Sequence, residues 1–260
     1  MGTVQYDFTD ETVVITGATS GIGRAVALEF GSSGAVVING DREVVPKDAE
    51  LPTHEAIEGA GGRAEFVKTD VTGLAQLEAL ASRADEYGGI DVWINNAGVQ
   101  LPKPMADVTA AEFDRVHAVN SRGVFFGTQI AAKRMLSDEN PGTIINTASI
   151  SSSLAQHGQV PYDASKGAVR MITRGAALEY GRDGIRVNAV APGQIATEFT
   201  PGWSEKAKQA VAADDLLKPV PLGRAGVPAD LPGAYLFLAS ENAAYITGEM
   251  VYVDGGWQIC

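Results

Sequence analysis

The sequence predicts an α/β fold built on a doubly wound, seven-stranded parallel sheet with helices on both faces. Short apolar runs alternate along the chain with longer stretches of helical periodicity. Several runs, such as VVIT and VVIN, are almost continuously apolar, which is typical of strands buried on both faces. No linker, repeat or low-complexity segment interrupts the 260 residues. We therefore expect one domain over residues 1–260.

Each element is predicted from its local pattern. Strands are expected at Thr12–Thr16, Ala35–Asn39, Ala64–Lys68, Val92–Asn95, Thr143–Thr147, Ile185–Val190 and Met250–Val253. Helices are expected at Gly21–Gly31, from Thr53, at Leu74–Tyr87, twice within Thr109–Leu136, at Pro161–Tyr180 and at Ala229–Leu238. The capping-box pattern from Thr109 to Glu112 marks one helix start.

The segment 194–218 is polar and irregular, with a short helix expected near Ser204–Ala213. Loops of this length often cover a binding site, so we expect a substrate-loop lid. The alternative is a disordered surface excursion. Within the segment, Phe199 and Trp203 could close over an apolar ligand or could anchor the loop itself.

Composition excludes several classes of protein. Lys plus Arg number 20 and Asp plus Glu number 32, a net charge of −12, and no basic run is present, which argues against nucleic-acid binding. The single cysteine, Cys260, cannot form an internal disulfide, so nothing requires an oxidising compartment. No apolar run reaches the roughly 18 residues of a membrane span, and the N-terminal stretch has no signal core. We expect a cytoplasmic protein with no membrane or nucleic-acid partner.

The strongest local motif is the glycine-rich turn TGATSGIG, between the first strand and the first helix. A helix N-terminus has unpaired N–H groups and partial positive charge, and a diphosphate can satisfy both where glycines let the backbone approach closely. The spacing G-x-x-x-G-x-G differs from G-x-G-x-x-G. The residues expected to bind a dinucleotide here are Gly17, Thr19, Ser20, Gly21, Ile22 and Gly23.

The end of the second strand is expected to select the nucleotide. Asp41 lies 24 residues after Gly17 and could accept hydrogen bonds from the adenosine ribose while repelling a 2′-phosphate. Arg42 could instead bind a 2′-phosphate, whereas Ser20 adds no positive charge. We expect NAD as the cofactor, with NADP as the alternative.

A candidate reacting group lies in the motif YDASK. Tyr162 and Lys166 are four residues apart and share one face of a helix. A tyrosine pKa near ~10 suits acid–base catalysis poorly at pH 7, but an adjacent ammonium and a positive nicotinamide ring favour the phenolate. Tyr162 could then remove a hydroxyl proton as hydride leaves carbon. Ser149, 13 residues earlier, could bind the substrate oxygen.

Together these motifs resemble the short-chain dehydrogenase/reductase family in its single-domain form. The resemblance rests on TGATSGIG, NNAG, Asn120, Ser149 and YDASK in this order and spacing, with Pro192-Gly193 and the closing VDGG, and it spans essentially the whole chain. It implies a Rossmann-type fold. It also implies that Tyr162 is the general acid/base, that Lys166 lowers its pKa and binds the nicotinamide ribose, and that Ser149 anchors substrate. Asn120 would hold a water in a proton relay to Lys166.

The resemblance implies further contacts and an assembly. Asp70 and Val71 would lie at the adenine. The remaining cofactor contacts would be Asn96, Ala97, Gly98, Pro192, Gly193, Ile195 and Thr197. Relatives usually pair through the helix Pro161–Tyr180 and through the last helix and strand, so a homotetramer is expected. No group of His, Cys and Asp residues has the spacing of metal ligands, so no metal is expected.

The substrate is a small molecule whose class the sequence leaves open. TRGAALEY and GIRVN are similar to segments of glucose 1-dehydrogenases and related sugar dehydrogenases. Gln156, His157 and Gln194, expected around the pocket, suit a polyol, so we expect an aldose oxidised at C1 to a lactone. The alternatives are a 3-oxoacyl carrier-protein reductase, a dehydrogenase of a steroid or other apolar secondary alcohol, and a non-catalytic NAD-sensing protein.

Overall fold

The sheet lies at the centre of the computed structural model, which describes residues 2–199, 202–212 and 219–259. Its strands are β1 (Thr12–Thr16), β2 (Val36–Asp41), β3 (Arg63–Lys68), β4 (Val92–Asn95), β5 (Thr143–Thr147), β6 (Arg186–Pro192) and β7 (Met250–Val253). Over these described residues they pair in parallel in the order β3-β2-β1-β4-β5-β6-β7. The predicted doubly wound parallel sheet is confirmed.

Helices cover both faces of the sheet. They are α1 (Gly21–Ser32), α2 (Thr53–Gly59), α3 (Leu74–Arg83), α4 (Ala110–His117), α5 (Val124–Ser137), α6 (Val160–Tyr180), α7 (Trp203–Ala212) and α8 (Pro232–Ala239). Val13 and Ile15 of β1 pack towards α1 and α8, whereas Val14 packs towards α3, α5 and α6. Alternate residues of a strand point to opposite faces, so one apolar run supplies both cores.

The helical stretch before β5 contains an unpredicted feature. The capping box is present: the Thr109 hydroxyl accepts from the Glu112 amide at 3.3 Å, and the Glu112 carboxylate accepts from the Thr109 amide at 2.9 Å. Between α4 and α5, residues Ala118–Gly123 form a π-helix. Short π-helices are rare and often lie at functional sites, and this one contains Asn120.

The observed element ends differ from the predicted ones where local turns intervene. The predicted helix Leu74–Tyr87 is α-helical only to Arg83, after which a 3₁₀ turn leads to Gly88 at φ 98°. The helix expected near Ser204–Ala213 is α7. The last residue of that predicted helix, Ala213, lies outside the described residues. So do the rest of 213–218, residues 200 and 201, and Cys260.

The described residues were considered for membrane-spanning helices and for metal-binding clusters. No helix among them combines the length and apolarity needed to cross a membrane. No group of three or more His, Cys, Asp and Glu side chains within the same residues could hold a metal ion.

Candidate active site

A cavity of about 550 Å³ opens at the carboxyl ends of the strands. In the strand order, β1 lies between β2 and β4, so the chain crosses the sheet in opposite directions from β1, and a ligand crevice forms where the order reverses. The cavity is lined by residues from the glycine-rich turn, the ends of β2 to β6, the start of α6, the segment 192–199 and Trp203. Of the residues predicted to bind cofactor, all line it: Gly17, Thr19, Ser20, Gly21, Ile22, Gly23, Asp41, Arg42, Asp70, Val71, Asn96, Ala97, Gly98, Tyr162, Lys166, Pro192, Gly193, Ile195 and Thr197.

The glycines of the turn are required by close packing against the segment after β4. Gly17 has φ 68°, and a Cβ there would lie 2.7 Å from the Ala97 Cα. A Cβ on Gly23 would lie 2.2 Å from the Gly17 carbonyl oxygen and 2.4 Å from the Asn96 Nδ2. The Asn96 side-chain Nδ2 donates to the carbonyl oxygens of Thr16 and Gly17, at 3.2 and 2.9 Å. The turn is thus a bare backbone cradle, which fits a dinucleotide diphosphate.

Acidic groups lie at the ends of β2 and β3, where the sequence predicts the adenosine of the cofactor. The Asp41 carboxylate accepts from the Thr19 amide at 3.1 Å and from the Arg42 amide at 2.7 Å. The Asp70 carboxylate accepts from the Thr72 amide and hydroxyl at 2.9 and 2.7 Å. Burial raises the pKa of Asp70, but these hydrogen bonds and the Arg42 charge outweigh it, so the pKa lies below its usual value. The region holds fixed negative charge near the end of β2.

The tyrosine and lysine of YDASK are both buried beside the cavity. The Lys166 Nζ lies 5.8 Å from the centre of the Tyr162 ring and donates to the Thr147 carbonyl oxygen at 2.7 Å. Burial raises the pKa of Tyr162 to about 12, opposed by a hydrogen bond with Ser149. Burial lowers the pKa of Lys166 to about 8. Without cofactor, both groups are therefore driven towards their neutral forms.

Asn120 is fully buried and does not line the cavity. Its Oδ1 accepts from the Val99 amide at 2.8 Å, and its Nδ2 donates to the Val99 carbonyl oxygen at 2.8 Å and the Ser165 hydroxyl at 3.0 Å. These bonds join the π-helix to the segment after β4 and to α6. The proton-relay role of Asn120 stays a prediction. Its side-chain hydrogen bonds link Val99 to Ser165 of α6.

Amide side chains and aromatic rings surround the reacting hydroxyls. Ser149, Gln156, Tyr162 and Gln194, predicted to bind substrate, line the cavity, whereas His157 is exposed at a turn outside it. His157 is exposed between the lining residues Gln156 and Gln159, so its contact with substrate stays a prediction. The turn before Gly158, at φ 66°, holds His157 on the surface.

Two lining glutamines were missed from the sequence. The Gln100 Nε2 donates to the Gln159 Oε1 at 2.8 Å, which joins the segment after NNAG to the start of α6. Trp257, near the C-terminus, also lines the cavity and packs with Ile150. A polar residue just beyond NNAG and another just before YDASK were the available signals, but neither has a periodic pattern.

Comparisons with known proteins place the whole chain in one family. A family model described as Enoyl-(Acyl carrier protein) reductase matches residues 17–258. The chain is 38% identical over 251 residues to 3beta-hydroxysteroid dehydrogenase 1 of Eggerthella lenta, covering 96% of this chain and 94% of that protein. It is 37% identical over 252 residues to a glucose 1-dehydrogenase of Gluconobacter oxydans, covering 96% and 92%. The protein belongs to the short-chain dehydrogenase/reductase family.

A solved structure supports this membership. A Beutenbergia cavernae protein provisionally named an NAD(P)-dependent gluconate 5-dehydrogenase, with NADP bound at low occupancy, matches with TM-score 0.88 at 33% identity, covering 99% of this chain and 100% of that chain. As a short-chain dehydrogenase/reductase, the protein is an NAD(P)-dependent oxidoreductase of alcohol or carbonyl groups. The resemblance predicted from the motifs is confirmed.

Asp163 of α6 hydrogen-bonds to the backbone of Gln156, one of the residues predicted to bind substrate. Its Oδ2 accepts from the Gln156 amide at 2.9 Å, so α6 fixes the loop that contains Gln156. We expect Asp163→Ala to raise the substrate KM about tenfold, since a hydrogen bond to a charged group contributes about 1.5–3 kcal/mol. The nucleotide KM should change little, as steady-state kinetics with each ligand varied in turn would show.

Asp163→Asn is the matched control for this change. An amide oxygen can still accept from the Gln156 amide but has no charge, so the substrate KM should lie between those of Asp163→Ala and the wild type. If Asp163→Ala instead lowers kcat about tenfold and leaves the substrate KM unchanged, Asp163 does not position the substrate-binding loop.

Proposed function

We propose that this protein is an NAD-dependent dehydrogenase that oxidises a neutral aldose at C1 to a lactone. The observation that carries the proposal is the set of amide side chains in the cavity beside Ser149 and Tyr162: Gln100, Gln156, Gln159 and Gln194. An amide both donates and accepts, as sugar hydroxyls do. Gln100 and Gln159 hydrogen-bond to each other and the Gln156 Nε2 donates to the Ser151 hydroxyl, so this wall is polar, and an apolar steroid would offer its amides no further donor or acceptor.

The catalytic chemistry follows from the buried side chains. Ser149 hydrogen-bonds to Tyr162, so both hydroxyls can converge on one substrate oxygen. Lys166, held by the Thr147 carbonyl oxygen, places a cation behind the phenol, and this charge favours the phenolate that accepts the hydroxyl proton. When bound, the nicotinamide supplies the hydride acceptor and a further positive charge.

The preference for NAD over NADP rests on Asp41. Its carboxylate lies at the end of β2, fixed by the Thr19 and Arg42 amides, where it can accept from ribose hydroxyls. Arg42 is close enough to Asp70 to lower the pKa of that carboxyl, so its charge is directed towards Asp70 in this structure. A 2′-phosphate would meet the Asp41 carboxylate, and of the two cations on this wall, Arg42 and Lys47, Arg42 already lies towards Asp70.

Absorbance at 340 nm with a substrate panel tests the proposal. We expect NADH formation with neutral aldoses and NAD⁺, with little activity on an aldonate, a 3β-hydroxysteroid or, in the reverse direction with NADPH, a 3-oxoacyl thioester. Turnover of the steroid alone would favour the apolar-alcohol alternative. Nucleotide binding with no turnover of any alcohol or ketone would favour the NAD-sensing protein.

We also propose that the protein forms a homotetramer in which the outer face of α6 contacts a second copy. Val160, Met171 and Leu178 are exposed along that face. A Cβ on Gly167 or Gly175 would meet no atom within 4 Å, so another helix could approach closely. Light scattering tests this, and the mass of a monomer would contradict it.

The segment 194–218 is proposed to close over the substrate. Phe199 and Trp203 from this segment line the cavity. They supply an apolar surface that would exclude water from the reacting carbon.

A further inference from the structure

The loop between β2 and α2, residues 42–52, folds back onto the glycine-rich turn. The Thr19 hydroxyl donates to the Glu43 carbonyl oxygen at 2.7 Å, and the Lys47 amide donates to the Ser20 hydroxyl at 2.8 Å. Just beyond the loop, the Thr53 hydroxyl donates to the Ala18 carbonyl oxygen at 2.8 Å. We call residues 42–52 the β2–α2 loop. The start and the middle of the β2–α2 loop, and the residue just after it, are therefore hydrogen-bonded to the turn.

One side chain of this loop reaches the start of α1. The Asp48 Oδ2 accepts from the Gly21 amide at 2.8 Å. Gly21 is the first residue of α1, where the backbone amides have no partner within the helix and the helix dipole favours an anion. This carboxylate therefore adds negative charge beside a backbone amide that an approaching anion would also seek.

Asp48 and Asp41 together enclose Ser20 between two carboxylates. Asp41 bonds the Thr19 amide on one side of Ser20, and Asp48 bonds the Gly21 amide on the other. Asp41 and Glu43 line the cavity wall, and the exposed Asp48 carboxylate lies beside that wall at Gly21. The side chains of Arg42 and Lys47 are the cations on that wall, and Arg42 lies near Asp70. Negative charge therefore exceeds positive charge in this corner.

We propose that Asp48 is a specificity-determining residue that excludes the 2′-phosphate of NADP. The inference rests on the proposed function, in that the nucleotide must lie along this turn with its ribose at Asp41. A 2′-phosphate brings a charge of about −1.5 to −2 next to that ribose, into the corner between the two carboxylates. NAD has only hydroxyl groups there, so Asp48 disfavours NADP and leaves NAD almost unaffected.

Asp48→Asn tests the proposal by direct binding. The amide oxygen can still accept from the Gly21 amide, so the loop keeps its position while one charge is removed. Dissociation constants for NAD⁺ and NADP⁺ are measured by calorimetry on the wild type and the variant. We expect the Kd for NADP⁺ to fall about five- to tenfold and the Kd for NAD⁺ to change less than about twofold.

Glu50→Gln is the matched control. Asp48 and Glu50 are both exposed, so this variant removes the same charge from the same loop and leaves the Asp48 bond to the Gly21 amide in place. Both of its nucleotide affinities should match the wild type. As a second measurement, the ratio of the Kd for NADP⁺ to the Kd for NAD⁺ is followed as KCl is raised. This ratio should fall equally in the wild type and in Glu50→Gln, and it should fall less in Asp48→Asn.

The possible results separate the two proposals. If Asp48→Asn tightens NAD⁺ and NADP⁺ by the same factor, Asp48 only competes for the helix terminus, and the inference is overturned. An unchanged ratio of the two Kd values overturns it as well. If the wild type binds neither nucleotide, the proposed function itself fails, whereas wild-type binding of NAD⁺ with no Asp48→Asn effect removes the inference alone.

Discussion

Tyr162→Phe should lower kcat about 10³-fold while the protein keeps its fold and its affinity for the nucleotide. Positioned general acid–base groups contribute about 10²–10⁴-fold, and no other phenol among the lining residues could replace this one. Tyr162 is only 9% exposed, and phenylalanine has almost the same shape, so the packing of α6 is retained. Initial rates at 340 nm, circular dichroism and nucleotide titration measure the three quantities.

Tyr235→Phe is the matched control for this prediction. Tyr235 is also buried, and its hydroxyl hydrogen-bonds to the Thr147 hydroxyl at 2.7 Å, but it does not line the cavity. This control should lose about 1 kcal/mol of unfolding free energy and keep its kcat. If Tyr162→Phe keeps wild-type turnover, the tyrosine does not transfer the proton, and the mechanism proposed here is wrong.

The sheet was predictable because its signal is local. The bounds of β1, β4, β5 and β7 match the predicted ones, since each is a compact apolar run ended by a polar or glycine residue. The start of α8 was predicted at Ala229 and is at Pro232, because the Asp230 carboxylate accepts from the Val227 amide at 2.8 Å and closes a 3₁₀ turn first. That bond depends on side-chain geometry, which periodicity does not contain.

The candidate site was predictable where it lies on strand ends and on α6. The carboxyl ends of parallel strands meet at one edge, so residues such as Asp41, Asn96 and Ser149 converge whatever the loops do. The roles of Gln100 and Asp48 were not predictable, because loop folding places them and no repeating pattern governs loops.

Lys166→Met should lower kcat by about 10² or more and move the rising limb of its pH profile upwards. The ammonium lies 5.8 Å from the centre of the Tyr162 ring, and its removal leaves burial to raise the pKa of the phenol without an opposing charge. More alkaline solution is then needed to form the phenolate, so part of the lost rate should return as pH rises. A kcat profile between pH 6 and about 10.5, with NAD⁺ saturating, measures both effects.

The same variant should change how stability depends on pH, because Lys166 is buried with a depressed pKa. Folding lowers that pKa from 10.5 to about 8, so between these values the unfolded chain binds more protons than the folded one. The cost of burying the charge is fully present below pH 8 and disappears above pH 10.5, so wild-type stability rises with pH across this window relative to Lys166→Met. The full shift corresponds to about 3 kcal/mol of pH-dependent stability, whereas the lost hydrogen bond to Thr147, about 1–3 kcal/mol, lowers the stability of Lys166→Met at every pH and leaves the slope unchanged.

Lys133→Met separates this effect from the loss of a positive charge in general. Lys133 is exposed on α5, so its removal should leave the slope of unfolding free energy against pH unchanged. Urea unfolding of the cofactor-free proteins at pH 7 and at about pH 10 gives the slopes. Parallel slopes for wild type and Lys166→Met would mean that the buried amine keeps an ordinary pKa. Burial of this ammonium would then cost no stability, which is not expected of a charge whose hydrogen-bond partner is the neutral Thr147 carbonyl oxygen.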